Sequence, residues 1–143
     1  MMEEAYELRT KETSRRWQAN YDLIYAQIVG YQARIYEYGA ALEAFMRNPP
    51  VVPAVKPPNL RLVDWDMRTT TNLVTPDISQ PYIDKATELF ELVIERHPGT
   101  AWSARAEVEL ARGFGMEIIP DYRAPRRRPP LPPGTPRIPI PKY

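Results

Sequence analysis

The chain has 143 residues, 43% of them hydrophobic, and a formal net charge of +1 at pH 7. That suffices for one domain and supplies no global field to draw it to nucleic acid or an anionic membrane. The absence of cysteine excludes disulfides, thiolate metal sites and thiol nucleophiles.

No run approaches the roughly 18 apolar residues that a membrane span requires. Met1-Met2-Glu3-Glu4 is too acidic and polar for a secretory signal, so the sequence reads as a cytoplasmic product. Charge is unevenly placed. Residues 120–143 hold six basic side chains and one acidic, a net of +5, against −4 for residues 1–119.

From Glu3 to Arg47 there is no proline, and the segment stops at Asn48-Pro49-Pro50. Trp17, Tyr21, Ile24, Ile28, Tyr31, Ile35, Tyr38, Leu42 and Phe45 follow steps of four and three residues. This spacing predicts one long helix over 1–48 with a bulky apolar stripe. The first sixteen residues lack the stripe and read as a solvated extension, helped by the Glu7/Lys11 and Glu12/Arg16 spacings.

Positions flanking the stripe carry Gln18, Asn20, Gln27 and Gln32, with Arg34 the only charge. A parallel zipper would carry paired opposite charges there, so the helix is expected to pack on other, different helices. Ala19, Ala26, Ala33 and Ala40 recur on the side opposite the stripe. Charges between Trp17 and Met46 are confined to Asp22, Arg34, Glu37 and Glu43, so burial on two faces is expected. The tyrosines at this spacing read as core and interface residues rather than a ligand ladder.

Residues 49–80 form a proline-punctuated linker; 60–67 and 69–75 have strand-like composition, suggesting an extended arm or short β-hairpin. Asp64-Trp65-Asp66 has the shape of a metal-nucleotide motif. It lacks the glycine loop and βαβ context of one, and reads as solvated positions about a buried ring.

A second helix is expected from Pro81 to about Arg96, with Ile83, Ala86, Leu89 or Phe90, Val93 and Ile94 inward. Pro98-Gly99 breaks it, Thr100 caps a third helix to about Arg112, and Gly113 and Gly115 end that one. Trp102, Ala106, Val108 or Glu109, and Leu110 are its inward candidates.

Ala86, Phe90, Val93 and Pro98 stand at offsets of 0, 4, 7 and 12, and His97-Pro-Gly-Thr-Ala-Trp leads into the next helix. In these residues the segment 81–119 resembles a tetratricopeptide repeat (TPR) hairpin, though Val93 replaces the usual alanine and no second repeat follows. The resemblance implies a helical protein-interaction module. The order of long helix, linker and hairpin is also similar to the C-terminal part of large bacterial proteins of no assigned activity.

Residues 120–143 contain nine prolines and read as a disordered basic tail. Arg126 and Arg127 each open an Arg-x-x-Pro-x-x-Pro pattern, completed by Pro129 and Pro132 or by Pro130 and Pro133. That is the form of a Src-homology-3 ligand, but the pattern is common in proline-rich sequence and a solubilising or spacer tail is the favoured reading.

His97 is the single histidine and sits at a helix end. Ser14, Ser79 and Ser103 lack a nucleophile-elbow context. No catalytic residue, metal ligand or cofactor is therefore expected.

The fold class expected is mainly α: a long helix packed on a TPR-like hairpin, with a short extended insertion and a disordered tail. Thirty striped residues span roughly 45 Å, whereas the later helices cover about 25 Å. Part of Trp17, Tyr21, Ile24, Ile28, Tyr31, Ile35, Tyr38, Leu42 and Phe45 is thus left over to bind another protein or the chain itself. The expected function is a non-catalytic interaction or scaffold module. A structural homo-oligomeric subunit is the alternative, and binding of acidic surfaces or nucleic acid through the tail a weaker one. No small-molecule substrate or membrane is expected.

Overall fold

The computed structural model describes residues 2–51 and 60–123, without the side chains of 2–4, 61 and 63. Its elements are α1 (Met2–Lys11), α2 (Arg15–Arg47), β1 (Arg61–Thr70), α3 (Pro76–Arg96), α4 (Ala101–Arg112) and β2 (Gly115–Arg123). The protein is mainly helical, with one long N-terminal helix and a small antiparallel sheet.

The first expected helix is broken at residues 12–14. Ser14 is the N-cap of α2 in extended conformation, and the Glu12 carboxylate accepts its backbone N–H at 2.8 Å. In an unbroken helix residues 9 and 22 would lie about 20 Å apart. Here Arg9 reaches Asp22 through two hydrogen bonds of 2.9 and 2.5 Å, so α1 folds back along α2.

Helix α3 runs antiparallel to α2, and α4 returns parallel to it. Residues 74–79 meet Glu37 and His97 meets Asp22, while α4 ends at Gly113 beside Arg34. The HPGT turn forms as the sequence indicates. Thr100 and Ser103 make a capping box, each side chain bonding the other's backbone N–H.

Helix α3 begins at Pro76, five residues before the expected Pro81, because Pro76 itself occupies the first turn. Pro81 and Asp77 are both exposed, so the backbone bond that Pro81 cannot donate belongs to the solvent face.

The core is made by small residues on α2 and larger ones opposite. Ala26, Val29 and Ala33 meet Ala86, Phe90 and Val93 of α3, Ala106 of α4, and Phe114. Alanines let the helix axes approach closely, and Phe90 fills the gap at 1% exposure. Complete burial of Phe90 and Val93 stabilises the fold by about 1.5–3 kcal/mol each. Of the alternatives open on α4, Glu109 is buried and Val108 exposed.

The strand expected at 60–67 forms, but residues 69–75 are not its partner. β1 pairs antiparallel with β2, from Arg61↔Arg123 to Thr70↔Gly115, with an irregularity between Leu62 and Asp64. Residues 120–123, expected to be tail, are thus the end of a strand. The connection fails to be a local hairpin because residues 76–96 and 101–112 intervene as helices.

A two-stranded ribbon is marginal alone, and this one leans on α2. Trp65 meets Phe45 edge-to-face at 4.9 Å between centroids. Two glycines permit the entry to β2. Gly113 has φ +74°, and a Cβ on Gly115 would fall 1.8 Å from the Asn72 carbonyl oxygen.

Candidate functional site

Helix α2 has two apolar faces, and the structure assigns them opposite fates. Ala19, Ala26, Val29, Ala33 and Ala41 point inward and are buried. On the far side of the same helix lie Trp17, Ile24, Ile28, Tyr31, Ile35 and Tyr38, all exposed; Trp17 is 62% and Ile35 67% exposed. Tyr21, Leu42 and Phe45 are half-buried, Phe45 against the ribbon. The nine stripe residues therefore share one face, and the part uncovered is larger than helix length alone predicted. A run of small side chains admits a neighbouring helix more closely than a run of isoleucine and tyrosine, so α3 docks on the alanines.

The three charges in the middle of α2, Asp22, Arg34 and Glu37, are directed inward. Arg34 reaches across to α4: Nη1 donates to Glu109 Oε2 at 2.8 Å, and Nη2 donates to the Gly113 carbonyl at 3.0 Å. It thereby places a cation on the last carbonyls of α4, the electronegative end of that helix. Glu109 is also held by Arg105 at 2.6 Å. Burial pushes the Glu109 carboxyl up, but the hydrogen bonds and charges of Arg34 and Arg105 outweigh it and hold the group below its ordinary value.

Glu37, fully buried, does the converse at the start of α3. Its carboxylate accepts the N–H groups of Val74 at 2.5 Å and Thr75 at 3.1 Å, and the Ser79 hydroxyl at 2.6 Å. An acidic group thus sits at the electropositive end of α3.

Asp22 forms the third anchor. It takes the Arg9 fork, lies 3.0 Å from His97 Nε2, and is 3.9 Å from Arg96. Burial raises its pKa, yet hydrogen bonds from Arg9 and His97 and the charges of Arg9 and Arg96 leave it lowered. His97, expected only at the helix end, is also part of this tie.

Beside Asp22 a cleft of about 290 Å³ opens between α1, α2 and α3, with Tyr6, Tyr25, Lys85 and Leu89 on its walls. Both Asp22 oxygens already face cations, so the cleft floor is structural.

Asp64 and Asp66 are exposed about half-buried Trp65. Asp64 accepts the N–H of Trp65, and Asp66 lies 3.7 Å from Arg68. Among the described residues no group of three or more His, Asp or Glu is placed to share a metal ion. No helix there is long and apolar enough to cross a membrane. Arg126, Arg127, Pro129, Pro130, Pro132 and Pro133 of the tail motif lie outside the described residues.

The three buried charge anchors had no assigned role in the sequence. Their signal was present: Asp22 and Glu37 stand three and four residues from Ala19 and Ala33, on the alanine side. Comparison with known proteins supplies no further identification: no family model matches the chain, and no curated protein or solved structure is significantly similar to it.

Proposed function

We propose that the chain is a non-catalytic protein–protein interaction module whose binding surface is the outer face of α2. One observation carries this reading: the fold is closed by the alanine face, while Trp17, Ile24, Ile28, Tyr31, Ile35 and Tyr38 remain in solvent. Contiguous apolar surface on this scale marks an interaction site on a protein. Helices α3 and α4, in the TPR-like role suggested by the HPGT turn, brace α2 from behind. The three inward charge anchors hold it straight and fixed in rotation, which pre-organises the outer face. No cofactor or substrate enters this reading, and a cytoplasmic setting belongs to it as well.

The test separates binding from folding. Replacing Ile24, Ile28 and Ile35 together by Gln should keep the helical circular dichroism and shift the thermal midpoint by no more than about 5 °C, since surface changes are nearly neutral. The same variant should lose binding of an apolar dye. Global unfolding of the triple variant would show that the stripe serves the fold, and would overturn the proposal.

A further inference from the structure

We infer that the occupant of the outer face is a second copy of this chain, paired antiparallel about a two-fold axis near Tyr31. This rests on the reading of that face as an interaction surface and adds the identity of the partner.

Area is the first ground. Six stripe residues are between 38% and 67% exposed. With apolar side chains of this size offering on the order of 200 Å² each, they leave about 600 Å² uncovered. That equals the largest patch typical of a monomer and approaches the roughly 800 Å² per partner of a stable pair. The half-buried Tyr21, Leu42 and Phe45 extend it at the rims.

Chemistry of the face is the second. A two-fold interface sets every group against its own kind, so like charges are its chief obstacle. This face has none at its centre: Asp22, Arg34 and Glu37 are engaged inward, and Glu43 sits near the C-terminal end, paired with Arg47. The flanking Gln32, one residue from the axis, carries both donor and acceptor and can bond its symmetry mate. A strongly charged partner would find nothing here to neutralise it.

Orientation follows from the helix ends. Helix α2 has no acidic residue in its first turn. A parallel pair would set two uncompensated electropositive helix ends side by side. An antiparallel pair sets each such end beside the last carbonyls of the other copy, where opposite partial charges attract. The 4-3 stepping of the stripe suits two helices crossing at about 20°.

Sedimentation of the full chain from about 1 to 500 µM, a range that covers pairs of this size, tests the partner. The expected result is a species of twice the monomer mass, with Ile35→Glu raising the dimer Kd by about 100-fold or more while keeping its circular dichroism. Because the chain has no cysteine, Gln32→Cys and Ile24→Cys each provide a unique thiol at an exposed position. On oxidation Gln32→Cys, near the axis, should cross-link two copies and Ile24→Cys, about 20 Å from its mate in an antiparallel pair, should not; efficient linkage at Ile24 means a parallel pair and overturns the orientation.

A wild-type chain that stays monomeric throughout, yet binds an apolar dye through the stripe, overturns the second copy and leaves the interaction face standing. A dimer insensitive to Ile35→Glu associates through another surface, and overturns both.

Discussion

Removing the Glu37 carboxylate tests how the helices are fastened to one another. Glu37→Ala strands the N–H groups of Val74 and Thr75; the Ser79 hydroxyl keeps the Thr75 carbonyl at 3.0 Å as an alternative partner. An orphaned buried donor costs about 1–3 kcal/mol, and loss of an anion at a partly buried helix start adds up to about 2 kcal/mol. Relief from burying the charged group offsets part of this, leaving an expected loss of about 2–4 kcal/mol. For a folded body of this size that lowers the thermal midpoint by about 10–20 °C.

Urea unfolding followed by helical circular dichroism should show a lower midpoint with an unchanged slope. Hydrogen exchange at the Val74 and Thr75 amides should become fast. Glu37→Gln retains one acceptor and should lose about half as much. A Glu37→Ala protein within about 0.5 kcal/mol of wild type, an ordinary surface effect, would refute the view that this carboxylate fastens α3 to α2.

Two further outcomes follow from the same anchors and from the ribbon. Asp22 and Glu109 both have lowered pKa values in the folded chain, so the unfolded chain takes up their protons first. Their contribution is complete above the ordinary values of 3.8 and 4.5 and is lost as pH falls through the lower folded ones. Thermal midpoints should therefore hold at neutral pH and drop steeply below about pH 4, and Asp22→Asn should flatten that drop. Gly115→Ala drives a Cβ into the Asn72 carbonyl; it should cost about 2 kcal/mol or more and expose the β1 amides to exchange before those of α3.

Local features were legible in the residues. Thr100, Pro98 and the glycines at 113 and 115 mark the boundaries of α4, because caps and breakers act within a few residues. Periodicity likewise showed that α2 has a bulky face and an alanine face. It did not show which would be covered inside the chain, since that depends on how closely another helix can approach, a property of the pair.

The break at Glu12–Ser14 was hidden because its reward, Arg9 on Asp22, lies thirteen residues away. Glu37 meets partners 37 to 42 residues on, and β1 meets β2 across two helices, so neither had a local signature. The outer-face residues were identified from the stripe, whereas the anchors that orient it needed the fold.

Thr70 and Gly115 are opposite one another in the ribbon, so the chain leaves at one point, builds α3 and α4, and returns to the same point. Residues 71–114 are a closed excursion stitched shut at its neck. Closing a loop of this length costs only about 2–3 kcal/mol more than a short one, but the cost falls before any ladder bond forms. The helical pair docked on α2 holds the two ends together, so the ladder from Gly115 to Arg123 adds to packing that α3 and α4 supply. The ribbon is in this sense a seal, and its closure depends on the helices it encloses.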